Sequence, residues 1–364
     1  MSWRYSVGDK TILNKALAVK ECIETKHPIN FHAPRLYDNF DMSIVPDESF
    51  VNLLIAEAKH LRNKYKYIKL NYSGGLDSNL ILKIFSDNDI KIDEIQCFKS
   101  GIPPADFEID NFAIPMLKNL SHRLRNTKIT IFEPTFEDYE NYYSDLLTTE
   151  KINKGCVDHL LHCRITFQKY LLEHEIDSDV LTITGKEKPR IIKCQDDYYT
   201  YFLDGEIESN PQFYNFFVDN PTINAKQTHA WLQEYKKRNN TIDATWDVEY
   251  LWNKTTGRPV DEPFPAKNLH LKKKDNSVVH NGSKIYYQNE KERVALNFLS
   301  TNAPSILDQY QKFTQALQGF TDNTWFNYGR PELMFVANFS KFYGLTKKDV
   351  KTVDELFPDG YKSQ

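Results

Sequence analysis

Apolar residues recur along the first half of the chain in two spacings, one typical of helices and one typical of buried strands. After Asp47, the residues Val51, Leu54, Ile55 and Ala58 follow the i, i+3, i+4, i+7 spacing of a helix with one buried face. Further along, short apolar runs predict strands, and amphipathic runs predict the helices between them. The predicted strands are 64–72, 92–98, 128–133 and 180–184, and the predicted helices are 76–85, 107–124 with a kink or a new start at Pro115, 136–147 and 157–172.

Strands that alternate with helices of this length form right-handed βαβ crossovers. The pattern therefore predicts an α/β fold with a parallel sheet and helices on both of its faces. Ligands of such sheets bind outside the carboxyl ends of the strands, so we expect the loops at that edge to meet in space. These loops are Ser73-Gly74-Gly75, Lys99-Ser100-Gly101, Glu133-Pro134 and Gly185 to Arg190.

The pattern is weaker on both sides of this region. Residues 1–46 join a short helical repeat to a proline-containing stretch, and we interpret them as an N-terminal extension of a main α/β domain over 47–210. After Arg190, the aromatic run from Tyr198 to Leu203 and the Asp204-Gly205 pair predict an antiparallel hairpin. The region 211–364 is predicted to be mixed and mostly helical, with helices at 222–237, 295–298 and 306–317, and to shape a substrate pocket.

Composition and charge narrow the class of protein. The 364 residues are 40% hydrophobic and 26% charged, with a net charge of −4 and a pI near 6.2. This balance argues against a broad nucleic-acid-binding surface and leaves room only for a local basic patch. The sequence contains no apolar run of transmembrane length and no N-terminal signal segment, so we expect a cytoplasmic protein with no membrane partner. Five scattered cysteines predict reduced thiols.

The hexapeptide Ser73-Gly74-Gly75-Leu76-Asp77-Ser78 joins the first predicted strand of the sheet to the next helix. Paired glycines let the backbone approach a polyphosphate, and the amides of the helix that Leu76 opens point toward the anion. Ser73 and Ser78 can donate to phosphate oxygens, and Asp77 can hold Mg²⁺ or one of its waters. A glycine pair alone would indicate only an α/β protein, but the complete hexapeptide in this context predicts a nucleotide phosphate site.

Two other phosphate-binding motifs do not fit this loop. The chain contains no GxxxxGK[ST] sequence, which excludes a Walker loop, and the third glycine of a dinucleotide-binding fingerprint is missing.

A second candidate loop, Gly185-Lys186-Glu187-Lys188-Pro189-Arg190, follows the fourth predicted strand. Its three cations can neutralise a leaving pyrophosphate, and Glu187 can help Asp77 to hold Mg²⁺. We assign Lys186, Glu187 and Arg190 to catalysis and Lys188 to ATP binding. The alternative is a solvated surface loop, which is the more common role of a charge run.

Two helical clusters are weaker candidates. Lys226 and His229 lie at i, i+3 on one predicted helix and can bind the second substrate or assist proton transfer, although an exposed polar face explains them equally well. Cys156, His159 and Cys163 share another helix face. Closed zinc sites usually take ligands from two elements, so we favour a buried thiol face over a metal site there.

The Ser73 to Ser78 hexapeptide in its strand, turn and helix context resembles the SGGxDS signature of the PP-loop, or N-type, ATP pyrophosphatases, and most closely the synthetase domain of asparagine synthetase. The resemblance covers residues 47 to 235, approximately. It implies a Rossmann-like sheet of the adenine nucleotide alpha hydrolase type that binds ATP and Mg²⁺. Such enzymes transfer AMP to a carboxylate or amide oxygen of a small-molecule acceptor and release pyrophosphate, and ammonia or an amine then displaces AMP.

Carried over by position, the resemblance places Ser73, Gly74, Gly75, Asp77 and Ser78 at the β and γ phosphates. The backbone near Phe98 would contact adenine. The Gly185 to Arg190 loop takes the place of an acidic loop in asparagine synthetase, and its different residues weaken the case for aspartate as the acceptor.

The resemblance leaves several functions open. Serine at position 2 predicts that the protein has no glutaminase of its own, so ammonia would come from a separate glutaminase. The preferred hypothesis is an AMP-forming ligase. The alternatives are a sulfur-transferring or nucleobase-modifying enzyme, similar to tRNA thiolases or to 7-cyano-7-deazaguanine synthase, and a non-catalytic module that senses ATP. The four zinc-binding cysteines of 7-cyano-7-deazaguanine synthase are not found, and Cys97 and Cys194 are poor candidates for a catalytic pair.

Overall fold

The computed structural model describes residues 3–103, 106–107, 109–124, 126–144, 170–171, 173, 177–185, 190–194, 197–202, 212–238, 270–272, 278–280, 295–321 and 340–356. The elements of the first part are β1 (Arg4–Val7), β2 (Lys10–Ile12), α1 (Lys15–Thr25), β3 (Ile29–His32), a 3-10 turn (Arg35–Asp38), α2 (Phe50–Lys64), β4 (Tyr67–Asn71), α3 (Leu76–Asp87), β5 (Glu94–Phe98), a π-helical turn (Ile109–Ala113), α4 (Ile114–Asn119), β6 (Lys128–Phe132) and α5 (Phe136–Ser144).

The remaining elements follow in chain order. They are β7 (Val180–Thr184), β8 (Arg190–Cys194), β9 (Asp197–Tyr201), β10 (Phe213–Asn215), α6 (Pro221–Arg238), β11 (His270–Lys272), β12 (Val278–His280), α7 (295–302), α8 (Pro304–Thr321), β13 (Phe342–Gly344), β14 (Val350–Lys351) and α9 (Val353–Leu356).

A five-stranded sheet organises the region that carries the hexapeptide, with the strand order β10-β7-β4-β5-β6. Every pair in this sheet is parallel, with registers such as Leu70↔Ile95 between β4 and β5 and Leu70↔Ile183 between β4 and β7. Along the chain, the sheet therefore starts at β4, gains β5 and then β6 on one side, and gains β7 and then β10 on the other side. The predicted α/β fold with a parallel sheet is confirmed.

The core beside β4 is formed by helices whose sequences have one apolar face. On α3, the side chains of Ile81, Leu82 and Phe85 are fully buried, and α2 packs against both α3 and α6. Ser49 begins α2 as its N-cap, since its side chain accepts a hydrogen bond from the Asn52 amide. This packing holds α3, and with it the turn after β4, in a fixed position.

A second apolar cluster lies where α5 packs against α8. Its buried side chains come from the loop after β5 and from three helices: Ile102, Tyr139, Tyr142, Tyr143, Ala295, Leu299, Ala303, Ile306 and Tyr310. The loop after β5 is therefore part of a packed core.

The N-terminal region contains strands that the sequence pattern did not predict. β1 pairs with both β2 and β3 in a three-stranded antiparallel sheet, and α1 packs beside it. β1 and β3 do alternate polar and apolar residues, but over only four residues each, and β2 has only three residues, so the signal was at the lower limit of length for a strand.

The predicted hairpin exists at a different place. β9, with the aromatic run from Tyr198, pairs antiparallel with β8, which precedes it, so the hairpin turn falls before β9. The Asp204-Gly205 dipeptide, where we expected a turn, lies outside the described residues, and that part of the prediction stays a prediction. β9 also pairs with β13, which extends this sheet to four strands in the order β14-β13-β9-β8.

Among the helices in the described ranges, none combines the length and the apolar character needed to cross a lipid bilayer.

Candidate functional site

The Ser73 to Ser78 turn connects β4 to α3 at the carboxyl edge of the parallel sheet. β4 lies between β5 and β7, and the chain leaves it in one direction first and in the other later. The strand order therefore reverses beside β4, and a crevice forms at the carboxyl ends of strands that diverge in this way. The hexapeptide lies at the position where a parallel sheet binds its ligands.

Gly74 has a backbone conformation that favours glycine, with a φ of +76°. A Cβ atom at this position would lie 2.8 Å from both the Cβ and the backbone nitrogen of Ala113. The turn therefore packs closely against the π-helical segment, and Gly74 and Gly75 are half-buried.

The first turn of α3 begins at Gly75, which is the N-cap and has no side chain to accept the first amides of the helix. An N-cap serine or aspartate usually does so, and without one the positive end of the helix remains suited to an anion. The Ser78 hydroxyl is buried behind the turn, where it donates to the Gly75 carbonyl at 3.1 Å and accepts from the Ser73 amide at 3.3 Å. Ser73 itself is exposed.

Asn79 fixes the other side of the turn. Its Nδ2 donates to the Gly74 carbonyl at 2.8 Å, and its Oδ1 accepts a hydrogen bond from the buried Tyr72 hydroxyl. The conformation of the glycine pair is therefore set before any ligand binds.

The start of the second predicted loop lies against this turn. A Cβ on Gly185 would lie 3.0 Å from the Asp77 Cβ and 3.1 Å from the Ser78 nitrogen, so the backbone after β7 touches the first turn of α3. Lys186, Glu187 and Lys188 lie outside the described residues. Arg190 is the first residue of β8, where its backbone pairs with Tyr201, and its assignment to catalysis stays a prediction.

The loop after β5 is held from inside by Asp106, which is 3% exposed. One carboxylate oxygen accepts from the Ser100 amide at 2.6 Å and the Ser100 hydroxyl at 2.8 Å, and the other accepts from the Gly101 amide at 2.9 Å. Burial raises the pKa of Asp106, against the lowering effect of these hydrogen bonds. Gly101 packs on Pro134, since a Cβ there would lie 2.7 Å from the Pro134 carbonyl oxygen.

Lys99 links the same loop to its neighbours. Its Nζ lies 2.8 Å from Glu133 Oε1 and 3.3 Å from Asp110 Oδ1. Burial alone would lower the pKa of Lys99, but these two carboxylates raise it, so Lys99 is a cation. The loops after β5 and β6 and the start of the loop after β7 are therefore gathered at the same edge of the sheet as the hexapeptide.

Phe98, at the end of β5, is part of an aromatic group on the sheet. Its ring stacks on Phe132 with centroids 4.8 Å apart, and Tyr170 meets both rings edge-on. The Tyr170 hydroxyl accepts a hydrogen bond from Lys69 at 2.6 Å. This packing fixes the end of β5, whose predicted contact with adenine stays a prediction.

Lys226 and His229 lie on α6 and contact the chain between Met42 and Pro46. The Lys226 Nζ donates to the Pro46 carbonyl at 2.7 Å, and the His229 Nε2 lies 2.8 Å from the Met42 carbonyl oxygen. His229 is 7% exposed, and burial lowers its pKa. Both side chains therefore anchor α6 to the segment between Met42 and Pro46. Their predicted role in binding the substrate stays a prediction.

The chemistry of the site suits a polyanion with magnesium. Mg²⁺ usually takes one or two carboxylates and completes its shell with phosphate oxygens and waters. Asp77 is partly buried in the first turn of α3 and can be such a carboxylate. No cluster of three or more histidine, cysteine, aspartate or glutamate side chains suited to a metal occurs in the part of the chain that the structure describes. The face of Cys156, His159 and Cys163 lies outside that part.

Sequence reasoning missed three residues that shape this site: Asp106, Ala113 and Tyr139. Ala113 packs on Gly74, and the buried Tyr139 hydroxyl donates to the Ser100 carbonyl. Asp106 acts on the loop that precedes it, whereas Ala113 and Tyr139 contact segments farther away along the chain, and hydrophobic periodicity reveals neither kind of contact. The available signal was local, since Asp106 follows two prolines at the start of a helical stretch, where aspartate often accepts backbone amides.

Comparisons of the chain with protein-family models, with curated protein sequences and with solved structures find no significant match.

Proposed function

We propose that this protein is an AMP-forming ligase of the PP-loop ATP pyrophosphatase type, which adenylates a carboxylate or amide oxygen and completes a C–N bond with ammonia or an amine. The observation that carries the proposal is the position of the SGGLDS hexapeptide. It lies where the strand order of a parallel sheet reverses. Gly74 packs closely on Ala113, and Gly185 packs closely on Asp77 and Ser78. The strand order also agrees with a Rossmann-like sheet, in which nucleotides bind at such a point.

In this proposal, each group at the edge of the sheet has one task. The backbone of Gly74 and Gly75 and the first turn of α3 bind the β and γ phosphates, and the Ser73 hydroxyl donates to them. Asp77 holds Mg²⁺, which supplies a positive charge next to the leaving pyrophosphate. Lys186, Lys188 and Arg190 neutralise the charge of that pyrophosphate, and Glu187 helps Asp77 to hold Mg²⁺.

Cys97 and Cys194, two of the cysteines in the described ranges, favour ligation over sulfur transfer. Cys97 lies in the middle of β5, and burial raises its pKa to about 12, so its thiol is not a nucleophile at neutral pH. Cys194 belongs to β8 in the other sheet, where its sulfur lies 3.9 Å from the Leu356 carbonyl oxygen. The Cys97 thiol therefore lacks the low pKa that sulfur transfer needs.

The test is incubation with Mg²⁺, α-labelled ATP, ammonium chloride and a panel of carboxylates and amides, scored for labelled AMP. Wild-type protein should form AMP with at least one acceptor. Asp77→Ala should lower the rate at least about 100-fold, because losing one well-placed group at such a site costs about 3 kcal/mol. Its circular dichroism should match that of wild type.

Three results would contradict the proposal. Full turnover in Asp77→Ala would remove Asp77 from the mechanism. ATP binding in calorimetry without AMP from any acceptor would favour an ATP-sensing module instead. A thiolated product in mass spectrometry would favour sulfur transfer.

A further inference from the structure

The buried carboxylate of Asp106 fixes the conformation of the loop after β5 through hydrogen bonds. Two backbone amides and one hydroxyl converge on Asp106, at distances between 2.6 and 2.9 Å. A carboxylate suits this arrangement because both of its oxygens are acceptors. An asparagine would turn a donor toward one of these three donors and lose at least one hydrogen bond.

The outer side of the loop is also fixed. The Tyr139 hydroxyl donates to the Ser100 carbonyl, the Ser100 hydroxyl accepts from the Ile102 amide at 3.1 Å, and Gly101, with a φ of +69°, packs on Pro134. The loop is therefore a rigid wall at the carboxyl end of β5, next to β4 in the sheet.

Asp106 also stands at the start of the segment that reaches the glycine turn. Its carbonyl accepts from the Asp110 amide at 3.0 Å, which begins the helical stretch that leads to Ala113. Ala113 in turn packs on Gly74. The Asp106 carboxylate therefore contacts the loop after β5 directly. The glycine turn contacts only Ala113, at the other end of the segment that Asp106 begins.

We propose that Asp106 is a positioning residue for nucleotide recognition, which holds the Lys99-Ser100-Gly101 loop as the wall against which the nucleoside of ATP binds. The inference rests on the proposed function. In this inference, Asp106 supports the part of the ATP affinity that comes from the nucleoside. The Ser73 to Ser78 turn binds the triphosphate.

The experiment compares Mg²⁺-ATP with Mg²⁺-tripolyphosphate in calorimetry, for wild type and for Asp106→Asn. Hydrogen bonds to a charged group are among the strongest in proteins, so the variant should bind ATP about 10- to 100-fold more weakly. It should bind tripolyphosphate within about twofold of wild type. Asp110→Asn is the matched control, because Asp110 lies on the same segment but is exposed and pairs with Lys99 at 3.3 Å. It should change neither affinity by more than about twofold.

A second readout needs no nucleotide. Hydrogen exchange of a peptide spanning 99–103 should be faster in Asp106→Asn than in wild type, and unchanged in Asp110→Asn. If Asp106→Asn does not fold, Ser100→Ala is the milder variant, since it removes the hydroxyl and keeps both amides. It should weaken ATP binding about 3- to 10-fold and leave tripolyphosphate binding unchanged.

The outcomes separate the inference from the proposed function. If wild type binds ATP and Asp106→Asn binds it equally well, or loses ATP and tripolyphosphate affinity to the same extent, the positioning role is wrong and the proposed function stands. If wild type binds neither probe, the proposed function fails and the inference fails with it.

Discussion

At the scale of single residues, two neighbouring glycines have different roles. Gly74 has a φ of +76° and packs against Ala113, whereas Gly75 has an ordinary φ of −72°, and a Cβ added to it would meet only the rotatable Ser73 hydroxyl, at 3.3 Å. Sequence alone presents them as an equivalent pair. The structure makes the first a requirement of the backbone and leaves room for a side chain at the second, where the proposed function needs space for a phosphate.

Gly74→Ala should therefore lower the free energy of unfolding by at least about 2 kcal/mol, because it adds a strained φ and a clash with Ala113. Gly75→Ala is the matched control and should cost less than about 1 kcal/mol, although we expect it to weaken ATP binding. Urea unfolding followed by circular dichroism measures both values. Equal stabilities of the two variants would show that the turn is free to move away from Ala113.

At the scale of elements, a half-buried acid, Asp219, joins the N-terminal sheet to the turn after β10. Asp219 accepts from the Trp3 indole through Oδ1 and from the Asn215 amide through Oδ2 at 2.9 Å. Burial raises the pKa of Asp219 to about 6. The junction between these elements therefore changes its charge in the mildly acidic range.

The sign of the resulting pH dependence follows from proton binding. Between about pH 4, where an unfolded aspartate ionises, and pH 6, the folded protein binds more protons than the unfolded chain at this site. The contribution of Asp219 to stability is complete below this window and is lost as the pH rises through it. The loss amounts to at most about 3 kcal/mol, since each pKa unit corresponds to about 1.4 kcal/mol.

Asp219→Asn cannot titrate, so the stability difference between wild type and this variant should shift by up to about 3 kcal/mol from pH 4 to pH 6.5, in favour of wild type at the acidic end. Urea unfolding at several pH values measures that difference. A difference that is constant with pH would show that Asp219 is ionised throughout.

The elements of the parallel sheet were predictable because each carries its own local signal. The run 180–184 was predicted as a strand and β7 has the same bounds, and α6 extends the predicted helix 222–237 by one residue at each end. Pro115 was expected to kink the helix or to mark a new start, and the second holds, since it lies in the first turn of α4, after the π-helical turn. The convergence of the Ser73 to Ser78 turn with Gly185 follows from parallel topology and was also predictable.

The rest of the site depends on hydrogen bonds and strand pairings that leave no periodic pattern in the sequence. Asp106 gave no periodic signal, because its structural role is to accept hydrogen bonds from three donors on the loop that precedes it. β9 was predicted as a strand, but the Asp204-Gly205 pair suggested a partner after it, whereas β8 lies before it. Local turn chemistry indicates that a chain can reverse, and only the packing of the whole molecule decides where it does.

At the scale of the whole molecule, one aromatic cluster joins the beginning, the middle and the end of the described chain. The Trp3 ring lies edge-on to Phe202 with centroids 4.9 Å apart, and Tyr37 lies 5.3 Å from Tyr343. β13, which contains Tyr343, is paired with β9. The boundaries that we predicted at residues 46 and 210 stay predictions, but the segments on either side of them share this core.

Tyr343→Ala should therefore destabilise the molecule far from its own strand. Truncation of a buried aromatic side chain costs about 3 to 5 kcal/mol, and hydrogen exchange over 29–38 should accelerate together with exchange over 197–202. Val350→Ala is the control on the neighbouring strand β14, where the side chain is 43% exposed, and should cost less than about 1 kcal/mol. Unchanged exchange over 29–38 in Tyr343→Ala would mean that the N-terminal region folds by itself.

The strand order has a consequence for how the protein is made. β4 pairs with β5 on one side within a few tens of residues, but its other edge waits for β7, which begins at Val180. At ribosomal speeds of about 5 to 20 residues per second, that edge stays bare for roughly 5 to 20 seconds of synthesis. An uncovered strand edge is a template for pairing with another chain. The nascent chain is therefore most prone to aggregation during the interval in which its central strand has only one partner.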